Sequence, residues 1–94
     1  MVHVHGELDL ATVPALRDRL LKAVAQHPGA EVAVDLDGVT VLDDTALGAL
    51  LAAAARAREL GGDLVIVCTA ARLLERIRQT RLDRAITVRA RLSE

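Results

Sequence analysis

Two apolar runs constrain this chain more than anything else in it: Val32-Ala33-Val34-Asp35-Leu36 and Leu64-Val65-Ile66-Val67-Cys68. Each has the length and β-branched content of a strand. The first is apolar enough to be central, and the second is nearly continuous, as in a parallel sheet covered by helices. Between them Leu47, Leu50, Leu51 and Ala54 recur at helical spacing over residues 44–60. Gly61-Gly62 then stops that helix.

The rest of the chain continues the alternation. Val2-His3-Val4-His5 has a period of two and reads as a short strand, followed by Gly6 and a Glu7-Leu8-Asp9 loop. Thr12 stands where a helix cap is needed and Pro14 fits the first turn. Val13, Leu16, Leu20 and Val24 then mark an amphipathic helix over about 12–27, ended by Pro28-Gly29. Asp37-Gly38 reads as a turn, and residues 39–42 as a passage back into the structure. Thr69 is placed to cap a third helix that turns Leu73, Leu74 and Ile77 inward. Ala85-Ile86-Thr87-Val88 reads as a last strand, and residues 89–94 as a polar tail. The order β-α-β-α-β-α-β predicts an α/β fold with right-handed crossovers and a mainly parallel four-stranded sheet with about three helices. No repeat or linker divides it, so residues 1–94 are expected to form a single domain.

Composition narrows the function. The chain is 52% hydrophobic but has no Phe, Tyr or Trp. Its core is therefore Leu, Val, Ile and Ala, and base-stacking or sugar-stacking platforms are excluded. The single cysteine, Cys68, permits no internal disulfide, suits a reducing interior, and reads as a small buried hydrophobe. No apolar run reaches the roughly 20 residues of a membrane span, and the N-terminus has no signal-peptide pattern. A cytoplasmic, soluble protein without direct membrane insertion is expected. Charge is uneven: residues 1–44 carry eight acids and three bases, and residues 45–94 carry nine arginines and five acids. That polarity suits oriented docking to a charged partner. The arginines have no aromatic residues interleaved, so no nucleic-acid partner is expected.

Chemistry-bearing residues concentrate in the stretch VDLDGVTVLDDTALGALL, where Asp35, Asp37, Asp43 and Asp44 precede a single hydroxyl, Thr45. There is no GxGxxG and no P-loop pattern, so no nucleotide cofactor is expected. His3 and His5 share one face of a strand, but no third ligand completes a metal site. Asp43-Asp44 as adjacent helix-start residues point apart, with no nucleophile beside them. They suit capping and the positive end of the helix dipole instead, so no catalytic residue is assigned and an enzyme is not expected. Thr45 falls in the first turn, at or near the surface. A phosphate there would meet backbone N–H groups and the dipole, adding about −1.5 to −2 charges to an acidic corner.

Three segments together resemble the STAS domain of anti-sigma factor antagonists: GELDLAT over 6–12, VDLDGVTVLDDTALGALLAAAARARELGGDLVIV over 34–67, and RLLERIRQTRLDRAITV over 72–88. The resemblance implies a STAS-like single domain that acts as a partner switch. Its partner would be an anti-sigma factor, an ATP-dependent serine/threonine kinase of the histidine-kinase-like fold. Asp43 matches the motif's Asp, Asp44 its first Ser, Thr45 its phosphorylated Ser/Thr and Ala46 its Gly. Glu7 and Asp9 lie in the turn beside that site, so Glu7, Asp9, Asp43, Asp44, Thr45 and Ala46 are the expected partner-binding residues. Asp44 and Ala46 depart from the motif, and Arg81 stands where the family usually has Gly. The family's usual first strand is absent, so the 2–5 strand is expected to be an open edge able to pair with a second copy. The usual terminal helix is expected to be missing or reduced to a few residues. STAS domains also serve membrane transporters. An accessory subunit that is never phosphorylated is therefore the alternative function.

Overall fold

The computed structural model describes residues 1–91. Its elements are β1 (Val2–Leu8), α1 (Val13–Gln26), β2 (Glu31–Leu42), α2 (Asp44–Glu59), β3 (Asp63–Val67), α3 (Ala71–Gln79), α4 (Leu82–Ala85) and β4 (Thr87–Arg89). The four strands form one sheet in the order β1-β2-β3-β4, and every neighbouring pair is parallel. The α/β alternation, the parallel sheet and the three longer helices therefore match the expectation from sequence.

A sheet that advances one strand at a time through right-handed crossovers puts all its helices on one face. The burial pattern agrees. Leu16, Leu20 and Val24 of α1, Leu50 of α2 and Leu73 and Ile77 of α3 share one core with Val32, Val34, Leu36, Leu64 and Ile66. The alternate strand residues Ala33, Val65 and Val67 form a separate small cluster on the opposite face. That face is otherwise polar. His3 Nδ1 lies 3.1 Å from Asp35 Oδ2, and Arg89 reaches both Glu31 oxygens at 2.6 and 3.3 Å. Cys68 is buried as expected, and burial pushes its thiol up to about 11.

Two segments are longer than expected. β1 runs through Gly6 to Leu8, with Gly6 at φ 82°, a value an L side chain rarely adopts. β2 is one strand through Asp37-Gly38, which does not turn. The pairing of His3 with Asp35 and His5 with Gly38 sets two residues of β1 against three of β2, a β-bulge. Gly38 suits it because a Cβ there would lie 2.9 Å from the Cβ of His5.

Three further elements also differ. Thr69 does not cap α3, whose N-cap position is Ala70. α4 is an extra single turn entered through Arg81, at φ 62° in the left-handed region. A non-glycine residue is strained there. β4 occupies Thr87–Arg89, so it begins two residues later than expected and takes in Arg89. The remainder of the expected polar tail includes residues 92–94, which lie outside those described, and the expected loss of a terminal helix falls partly there.

Candidate functional site

The C-terminal ends of β1, β2 and β3 feed the three longer helices at one end of the sheet. Register puts Glu7 beside Val41 and Leu8 beside Leu42, and the Asp43 N–H donates to the Leu8 carbonyl at 3.0 Å. Glu7 near the end of β1, and Asp9 just beyond it, are thereby brought close to the start of α2.

Asp9 and Thr12 bind that first turn into one piece. The Asp9 carboxylate accepts from the N–H groups of Ala11 and Thr12 at 3.0 and 3.1 Å. The Thr12 hydroxyl donates to the Glu7 carbonyl at 2.7 Å and accepts from the Asp9 N–H at 3.0 Å. Thr12 sits at the N-cap of α1 but its side chain bonds back into the turn, while the Asp9 carboxylate holds the two N–H groups just before the helix and the Asp9 carbonyl accepts from the Val13 N–H at 2.9 Å.

At the second corner Asp43 is the N-cap of α2, and its carboxylate accepts from the Thr45 N–H at 3.3 Å. Asp44 follows in the first turn with its side chain 83% exposed. Acids stand at the start of α2 and Arg56 and Arg58 in its last turn, the arrangement the helix dipole favours. The Arg76 guanidinium, reaching across from α3, donates to Asp44 at 2.7 Å and to the Leu42 carbonyl at 3.1 Å. Arg72, one turn earlier, donates to the Thr40 carbonyl at 2.8 Å. Nothing in the sequence singled out these two arginines. Their spacing of four on an amphipathic helix was the available signal, but their targets lie about thirty residues away.

Two expected site residues sit differently. Thr45 is only half-exposed, and its Oγ1 faces inward, shielded from solvent and without a hydrogen-bond partner. The expectation of a hydroxyl at the surface is corrected on that point. Ala46 is fully buried in the core, so its side chain cannot be a contact for a docked protein. The first turn of α2 presents Asp44 outward, and the helical advance then carries positions 45 and 46 toward the sheet.

The third corner is held from a distance. Asp37 accepts from the Thr69 N–H at 2.6 Å, the Thr69 hydroxyl at 2.8 Å and the Ala70 N–H at 3.1 Å. The Thr69 backbone bond, reinforced by the other two, holds the Asp37 carboxyl below its ordinary value against a smaller opposing effect of burial. Among the described residues, no group of three or more His, Cys, Asp or Glu could hold a metal ion.

The STAS domain family matches residues 1–94. The chain belongs to the STAS domain family. The anti-sigma-B factor antagonist of Bacillus subtilis strain 168 is 29% identical to this STAS domain over 90 residues, covering 96% of this chain and 81% of that protein. The crystal structure of an anti-sigma factor antagonist from Mycobacterium paratuberculosis superposes with a TM-score of 0.82 at 28% identity. That match spans 97% of this chain and 76% of the other. No helix among the described residues is long and apolar enough to cross a membrane.

Proposed function

We propose that this STAS domain is an anti-sigma factor antagonist, a cytoplasmic binding module and not an enzyme. The observation that carries it is the likeness, in sequence and fold together, to two proteins of that role. The exposed acidic corner formed by Glu7 and Asp44 supplies the docking surface. Its partner is an anti-sigma factor that is also a serine/threonine kinase of the histidine-kinase-like fold. In the switching step the Thr45 oxygen bonds to the terminal phosphorus of ATP, ADP leaves, and a base on the kinase takes the hydroxyl proton.

The shielded Oγ1 must first turn outward. It has no hydrogen bond to lose in doing so, and a buried unpaired hydroxyl regains solvation on exposure. A phosphate then adds charge beside Asp43 and Asp44, and the partner is repelled.

The test is a calorimetric titration of the purified protein against each anti-sigma factor of its own organism, with a sigma factor release assay. Wild type binds one of them, and Thr45→Glu binds it at least about tenfold more weakly if like-charge repulsion is the mechanism. Phosphate appears on Thr45 by mass spectrometry after incubation with Mg-ATP and that partner. Failure of wild type to bind any member sinks the proposal.

Asp44 in the place of a hydroxyl, together with the inward Thr45 Oγ1, favours one second function: a non-phosphorylated accessory subunit of a membrane transporter. Co-purification with a membrane ATPase and not with a soluble kinase would select it. β1 lies at one edge of the sheet, which leaves the 2–5 stretch open to a second copy. A sedimentation profile that stays monomeric at millimolar concentration rules out that dimer.

A further inference from the structure

We infer that Leu10 is the apolar anchor by which this domain seats on its anti-sigma factor, entering a partner pocket that is apolar at its floor and basic at its rim. This rests on the function proposed above and names the contact that carries it. Leu10 is 75% exposed, more than Met1, Val41 or Leu51, the other exposed large hydrophobic residues among those described. Single exposed leucines are ordinary on protein surfaces. The setting of this one is not. Asp9 on one side and Thr12 on the other lock the backbone around it through the four bonds already described.

The same bonds reassign the turn. Two backbone N–H groups fix the Asp9 carboxylate through one oxygen, Oδ1, whereas Leu10 is held out in water on the same turn. A side chain on a fixed loop loses little further freedom on binding, so its burial converts efficiently into affinity. Leu10 stands two residues beyond Leu8, whose carbonyl holds the Asp43 N–H at the head of α2. Glu7 and Asp44 are the exposed acids of that corner. From Thr45 to Ala55 the helix has no charged side chain, and Gly48, Leu51 and Ala52 face water. An exposed leucine flanked by the acids Glu7 and Asp44 is complemented by an apolar pocket rimmed with Lys or Arg.

The experiment uses the anti-sigma factor that binds wild type in the titration above. Leu10→Ala and Leu10→Ser are expected to weaken the Kd by at least about tenfold, and Leu10→Met to stay within about threefold. Far-UV circular dichroism and thermal unfolding should be unchanged in all three, because Leu10 is 75% exposed. The wild-type Kd should rise with added salt, and a salt-independent Kd overturns the basic rim. If Leu10→Ala and Leu10→Ser bind as tightly as wild type, the anchor is wrong while the antagonist function stands. If wild type binds no anti-sigma factor, both fall together.

Discussion

At the corner between β1 and α1, an aspartate and a threonine satisfy each other and the backbone around them. At the corner between β2 and α2, the same two residue types barely meet. Asp9 accepts two backbone N–H groups at 3.0 and 3.1 Å, and Thr12 donates at 2.7 Å and accepts at 3.0 Å. Asp43 accepts one N–H at 3.3 Å, and the Thr45 hydroxyl has no bond at all. The first corner is a fixture tied by several bonds to its own backbone. The second has polar capacity in reserve, with Asp44 answered from outside by Arg76. A carboxylate or hydroxyl already saturated by its own chain cannot change partners cheaply, whereas an idle one can.

Substitutions test that contrast in order of expected size. Asp37, which fastens the third corner, sets the upper end. Asp37→Ala should lose about 2 kcal/mol in urea unfolding followed by far-UV circular dichroism, since it removes one acceptor shared by two backbone N–H groups and a hydroxyl. The folded carboxyl lies below its ordinary value of 3.8, so its contribution is complete above that value and fades as pH falls through the folded one. The stability gap between wild type and Asp37→Ala should therefore narrow on acidification below about pH 4.

Thr12→Val should follow at about 1–2 kcal/mol, because it removes a donor to Glu7 and an acceptor for Asp9 at once. Asp43→Ala should cost about 0.5–1 kcal/mol, near the low end for an N-cap, as its single bond is long. The smallest effect belongs to Thr45→Val, which is expected within about 0.5 kcal/mol of wild type, or slightly stabilising, because it replaces an unpaired hydroxyl by a methyl group of the same shape. Equal losses from Thr12→Val and Thr45→Val would erase the distinction between the corners. A loss from Thr45→Val alone would reverse it.

Most of the frame was legible because apolar periodicity is a local signal. The three longer helices follow from stripes such as Leu16, Leu20 and Val24, and the inner strands from runs of buried Val, Leu and Ile. The glycines at 29 and 61 also sit where local chemistry demands, both at positive φ after a helix.

Local signals misled where pairing overrides them. Gly6 and Asp37-Gly38 look like breaks, yet ladder bonds to a neighbouring strand carry both segments through, and the bulge uses the small size of Gly38. Within the site, the capping role of Asp43 was readable from its neighbours. The inward face of Thr45, the burial of Ala46 and the reach of Arg76 were not, because each depends on how α2 and α3 settle on the sheet. The bonds from Asp37 to Thr69 span 32 residues, and no short-range pattern encodes them.

The idle oxygen at position 45 has one more consequence. No neighbour leans on it, so this spot is free to vary while the scaffold around it stays intact. Under the phosphate switch proposed above, a sibling domain would lose or regain that switch here through one substitution, and its architecture would carry no trace of the change.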